Sequence, residues 1–68
     1  MRNIKVYDLE SSPNGYGYIM DKKNFRVAVF RCFSTESNEE DGTYTVGIVE
    51  FDNGTIESIP LWRLRFIQ

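Results

Sequence analysis

An all-β fold is what this 68-residue chain predicts, on three observations. Apolar residues recur with period two almost everywhere, as on strands with one buried face. The apolar runs are rich in Val, Ile, Phe and Tyr, which fit a pleated, half-buried surface. Asn53-Gly54 stands between two such runs and is a strong hairpin signal. No stretch has helical periodicity over helical length. The prediction is a small barrel of five or six short antiparallel strands, with one 3-10 turn before the last strand.

The elements follow in order. Ile4 and Val6 alternate with Lys5, Tyr7 and Leu9, which makes a first strand. Ser11-Ser12-Pro13-Asn14-Gly15 breaks it with residues that each favour turns. Tyr16, Tyr18 and Met20 alternate next, before a polar turn at Asp21-Lys22-Lys23-Asn24. Phe25 to Phe33 is the longest apolar run. Phe25, Val27, Val29 and Phe33 share one parity, interrupted by Arg31, and Arg26, Ala28, Phe30 and Cys32 share the other. Such a strand bends and serves two surfaces. Ser34 to Gly42 is polar throughout and reads as a loop. Thr43 to Phe51 is a strand again, with Gly47 marking a bulge or bend. Asn53-Gly54 predicts a type I′ turn, which needs positive φ at both residues. Thr55 to Ile59 returns, Pro60 stops the ladder, Leu61-Trp62-Arg63 has room for a 3-10 turn, and Leu64, Phe66 and Ile67 close the chain.

The stretch Val49 to Pro60, followed by Leu61-Trp62-Arg63-Leu64-Arg65-Phe66, resembles the second half of SH3-like barrels of the Tudor or KOW type. There a tight hairpin leads into a 3-10 turn and a closing strand. The likeness covers residues 15 to 67, with Ile4 to Leu9 adding a strand or pairing with the C-terminus. It implies an SH3-like barrel and, by analogy, a binding role. No glycine-centred KOW loop and no Tudor aromatic cage can be matched residue by residue, so no functional residues carry over. The size, the acidic loop and the solitary barrel also resemble small accessory proteins of bacteria and their phages.

Length and composition agree with one domain, 1–68. A chain this short buries only about 60% of its unfolded surface, so its core is thin. Aromatic residues reach 15%, and filling that core is the first use expected of them. Phe25, Phe33, Phe51 and Phe66 are predicted core, and Trp62 half-buried. There is no His, which removes the commonest general base and the Ser-His, Cys-His and Cys/His zinc constellations. No Gly-rich phosphate loop occurs. Glu36, Glu39, Glu40 and Asp41 lack the EF-hand spacing for Ca²⁺. Neither an enzyme nor a cofactor is expected. The lone Cys32 cannot form an internal disulfide. With no leader-like or membrane-spanning apolar run, a cytoplasmic home is expected. Asn53-Gly54-Thr55 matches a glycosylation sequon but reads as a turn.

The net charge of −2 conceals an asymmetry. The four acids between Glu36 and Asp41 form one loop, and the other six acids face eight bases. The leading expectation is a protein-binding module, an adaptor or inhibitor, monomeric or a weak homodimer. Tyr16, Tyr18, Phe30, Tyr44 and Trp62 are its candidate contacts, because Tyr and Trp dominate interface hot spots. At Tyr16 and Tyr18 packing and surface function compete evenly. The alternative is a nucleic-acid module. Pairing of the first and last strands would bring Arg2, Lys5, Arg63 and Arg65 together, with Lys22, Lys23 and Arg26 as a second basic group. Net negative charge opposes it. A third reading, in which the acidic loop mimics nucleic-acid phosphates, rests on only those four acids.

Overall fold

The computed structural model describes residues 2–40 and 42–67. Five strands, β1 (Arg2–Ser11), β2 (Tyr18–Asn38), β3 (Gly42–Glu50), β4 (Ile56–Pro60) and β5 (Leu64–Phe66), form one antiparallel sheet in the order β4-β3-β2-β1-β5. The 3-10 turn Leu61–Arg63 joins the two edge strands, where the sequence predicts it. It follows Pro60, whose missing N–H suits an edge strand's end.

The core lies on one parity of β1. Ile4 and Val6 are buried against Ala28, Val49, Phe51, Ile59 and Leu64, with half-buried Phe30 packed on them. It is an aliphatic core with one phenylalanine. Phe25, Phe33 and Phe66, predicted as core, stay exposed, and Phe33 keeps 58% of its surface. Phe25 fails for a simple reason. It pairs with Tyr7 on the outer face of β1 and β2, opposite in parity to Ile4 and Ala28, and its ring lies 5.5 Å from that of Tyr7.

Two predicted breaks are absorbed into β2. Tyr7 pairs with Phe25 and Leu9 with Met20, so residues 21–24 face only Asp8 of β1. The expected polar turn is therefore a large, irregular bulge, four residues against one. The Asp21 carboxylate closes it by accepting from the Lys23 N–H at 2.9 Å and from Asn24 Nδ2 at 2.6 Å. Likewise Ser34–Asn38, predicted as loop, is strand, with regular pairs from Cys32↔Ile48 to Asn38↔Gly42. A polar strand is permitted because this hairpin extends past the core: residues 31–40 are all exposed. Cross-strand pairs such as Thr35↔Thr45 and Glu36↔Tyr44 hold it.

The bulge predicted at Gly47 lies on the facing strand instead. Phe30 pairs with Val49 and Cys32 with Ile48, which leaves Arg31 as the extra residue. Gly47 serves packing. A Cβ there would lie 2.6 Å from Leu64 Cδ1 and 3.3 Å from Phe30 Cε1. The bulge also shifts parity, so Phe33 joins Phe30 on the core side, with ring centroids 4.9 Å apart.

The β3–β4 hairpin forms as predicted, but its turn is not type I′. Gly54 alone has positive φ, at 86°, and no non-glycine residue among those described does. Gly54 N–H donates to Phe51 O and Phe51 N–H to Thr55 O, each at 2.9 Å. This is a type I turn followed by a left-handed glycine. Asn53 contributes through its side chain, whose Oδ1 accepts from the Thr55 N–H at 3.0 Å.

The molecule is less compact than its length allows. Its radius of gyration is 12.7 Å, against about 11 Å expected for 68 residues. Projecting hairpins account for the difference.

Candidate functional site

Two apolar grooves meet at the 3-10 turn. The larger, about 510 Å³, is lined by Tyr44, Thr45, Pro60, Leu61 and Trp62. The smaller, about 250 Å³, lies between Leu61 and the ring cluster of Phe30, Phe33 and Phe66, above Ile4 and Leu64. The local fold explains both. A 3-10 turn advances only three residues per revolution, so Leu61 and Trp62 project from adjacent positions. Neither is buried, and Trp62 is half-exposed. Pro60 pairs with Val46 and brings the turn against β3 beside Tyr44.

The larger groove has a carboxylate beside it. Glu36 pairs with Tyr44 across β2 and β3. Its Oε2 accepts from Ser58 Oγ at 2.6 Å, and its Oε1 accepts a long bond from the Tyr44 hydroxyl at 3.4 Å. Three strands thus hold one negative charge at an aromatic wall.

The five predicted contact residues divide. Tyr44 and Trp62 line the larger groove and Phe30 the smaller one. Tyr16 and Tyr18 are highly exposed, but they sit at the β1–β2 turn, and Tyr18 pairs with Ser11. Phe30 pairs with Arg2, nine residues back along β1, or about 30 Å of strand. Tyr16 and Tyr18 therefore belong to a separate surface. Their loop is ordered by Asn14 Oδ1, which accepts from Ser12 Oγ at 2.7 Å and from the Tyr16 N–H at 3.0 Å.

The predicted acidic loop is also divided. Glu36 belongs to β2, Glu39 and Glu40 are exposed at the hairpin tip, and Asp41 lies outside the described residues.

The termini pair as predicted, with Lys5 opposite Arg65 between β1 and β5. The four bases do not share one face. Arg2 has the parity of Ile4 and lies 4.0 Å over the Phe66 ring, while Lys5 has the opposite parity and lies over Phe25. Arg63 Nε donates to Tyr7 O at 2.9 Å, and Arg65 donates to Leu64 O at 2.7 Å and Trp62 O at 3.3 Å. Of the second basic group, Arg26 lies 4.0 Å over the Phe51 ring and 3.9 Å from Glu57.

Sequence reasoning missed Pro60 and Leu61 as groove walls. Their signal was the predicted 3-10 turn itself, which exposes consecutive apolar side chains. It also assigned Phe33 and Phe66 to the core, since alternation alone does not tell a covered face from an uncovered end.

Among the described residues no three His, Cys, Asp or Glu side chains cluster to hold a metal ion. The Asp21 carboxyl is held below the usual range, chiefly by the Asn24 side-chain donor and then by the Lys23 N–H. No helix among these residues is long and apolar enough to cross a membrane. No family model, no curated protein and no solved structure matches the chain.

Proposed function

We propose that this chain is a non-catalytic protein-binding module with the layout of an SH3-like barrel, acting as an adaptor or inhibitor on a larger protein. The strand order, with β5 returned beside β1 and a 3-10 turn between the edges, supports that layout. The binding role rests on one observation above all: Tyr44 and Trp62 converge with Pro60 and Leu61 beside the Glu36 carboxylate. Aromatic walls take aliphatic and cationic side chains, and a carboxylate selects the cationic ones. Glu39 and Glu40 on the same hairpin add attraction for a basic partner, which raises on-rate more than affinity. The partner segment is therefore extended, apolar and basic. A lone, exposed Cys32 suits a reducing, cytoplasmic setting.

Arrayed peptides of alternating apolar residues, in basic and acidic versions, test this reading. The protein should retain the basic series, and Trp62→Ala and Tyr44→Ala should each release it. Equal retention of both series, or retention unchanged in both variants, refutes it.

The nucleic-acid reading keeps one supporting observation, the Lys5–Arg65 pair on the outer face. Against it, Arg63 and Arg65 already donate to backbone carbonyls. Binding to a random single strand that is present at about 50 mM salt and lost near 200 mM would revive it.

A further inference from the structure

The hairpin of β2 and β3 leaves a sheet edge open. β1 pairs with β2 only as far as Arg2↔Phe30, and β3 occupies the opposite edge. Among the described residues no strand lies beside Cys32–Ser37 on the β1 side. Beyond the Arg31 bulge this stretch is regular strand, so alternate residues direct backbone N–H and C=O groups outward. Sheet edges are commonly protected by Lys, Pro or an inward charge. Residues 32–37 contain neither Lys nor Pro. Their one charge, Glu36, is drawn toward Tyr44 and Ser58 on the other side. The edge ends beside the smaller apolar groove, where Phe33 and Phe66 are uncovered.

We infer that a second copy of this chain covers this edge, its residues 32–37 running antiparallel to the same residues of the first in a two-fold dimer. Two arguments point to a second copy. First, an antiparallel pair of identical strands is self-complementary, as a two-fold interface requires. Second, the charges match. The added strand would continue the line of β1 along β2, so its acidic tip, Glu39 and Glu40, would reach the Arg2 end of its neighbour. Arg2 there lies over the Phe66 ring, and among the described residues no carboxylate pairs with it. Two-fold symmetry makes this contact twice. This edge is separate from the Tyr44–Trp62 wall, although both draw on Glu39 and Glu40, and the inference does not rest on the partner proposed for that wall.

Sedimentation equilibrium of the full chain between about 1 and 300 µM tests the inference. A concentration-dependent dimer is expected, and Cys32, exposed on this edge, should react more slowly with a thiol reagent as the dimer forms. Arg2→Glu should raise the dimer Kd about tenfold. Glu39→Arg with Glu40→Arg should do the same, and all three changes together should restore it. Phe33→Lys, at an exposed position, should leave the far-ultraviolet spectrum unchanged and give a monomer. A monomer at every concentration, as a strand donor of another sequence would leave it, overturns the inference. So does a dimer in which Cys32 reacts at an undiminished rate, or one in which the triple variant fails to recover.

Discussion

The two ends of the core face use the same device with opposite results. At one end the Arg26 guanidinium lies 4.0 Å over the Phe51 ring, and at the other Arg2 lies 4.0 Å over Phe66. Phe51 keeps 4% of its surface and Phe66 keeps 37%. The ends lie about 13 Å apart along β1, from Val6, opposite Arg26, to Arg2, opposite Phe30. What differs is the chain overhead. At the Phe51 end the β3–β4 hairpin turns back through the Phe51–Thr55 bond, and β4 supplies Glu57 to Arg26. At the Phe66 end β2 runs on past the core, and the 3-10 turn sets Leu61 across from the rings but leaves a groove of about 250 Å³ open between them. An arginine over a phenylalanine adds only about 0.5–1 kcal/mol at an exposed site. Backbone coverage, and not the cation–π pair, decides which ring is buried.

The largest consequence is an asymmetry between phenylalanines. Phe51→Ala should cost about 3–5 kcal/mol, much of the roughly 3–10 kcal/mol a domain of this size has. Phe66→Ala should cost about 1–2 kcal/mol, since its ring is already partly in water. Urea titration of both variants checks this, and equal losses would mean that the ends are equally covered. Gly47→Ala probes the packing between them. Its methyl would press on buried Leu64 and on Phe30, and the melting curve should report a loss of about 1–3 kcal/mol.

Smaller effects follow at the charged lids. Glu57→Gln should cost less than about 1 kcal/mol, because the ion pair with Arg26 is exposed and long at 3.9 Å. Raising salt should change wild type and variant together if the pair contributes nothing. The smallest effect lies outside both ends, at the β2 bulge. The Asp21 carboxyl is held below its ordinary value by Asn24 and by the Lys23 N–H. Its contribution is present above the unfolded pKa and is lost as pH falls through the folded one, below about pH 4. A carboxyl titration by NMR should place Asp21 below the ordinary aspartate value, and Asn24→Ala should move it back up.

Much of the architecture was legible in the residues. Alternation at Ile4 and Val6, the Asn53-Gly54 signal and the Pro60 stop located β1, the β3–β4 hairpin and the 3-10 turn. What misled was local. Ser34–Asn38 looked too polar for a strand because packing was taken as the only support for one, whereas β3 supplies the hydrogen bonds. Phe33 does reach the core side, through one extra residue at Arg31, but at an end where it stays exposed, and alternation does not see where a face ends. Trp62 and Tyr44 were singled out one by one as candidate contacts. Their convergence depends on β4 delivering the turn beside β3, which is a tertiary fact. Tyr16 and Tyr18 carried the same residue chemistry yet lie at the other end of the sheet.

The central claim is that the uncovered end and the β2 edge beside it are an interface awaiting a second chain. Amide hydrogen exchange at residues 32–37, measured on dilute and concentrated protein, tests it most directly. Alternate amides on this edge should exchange fast when dilute and become protected on concentration, while those of Ile4, Val6 and Val49 stay slow throughout. Protection in residues 32–37 that does not change with concentration would contradict the account.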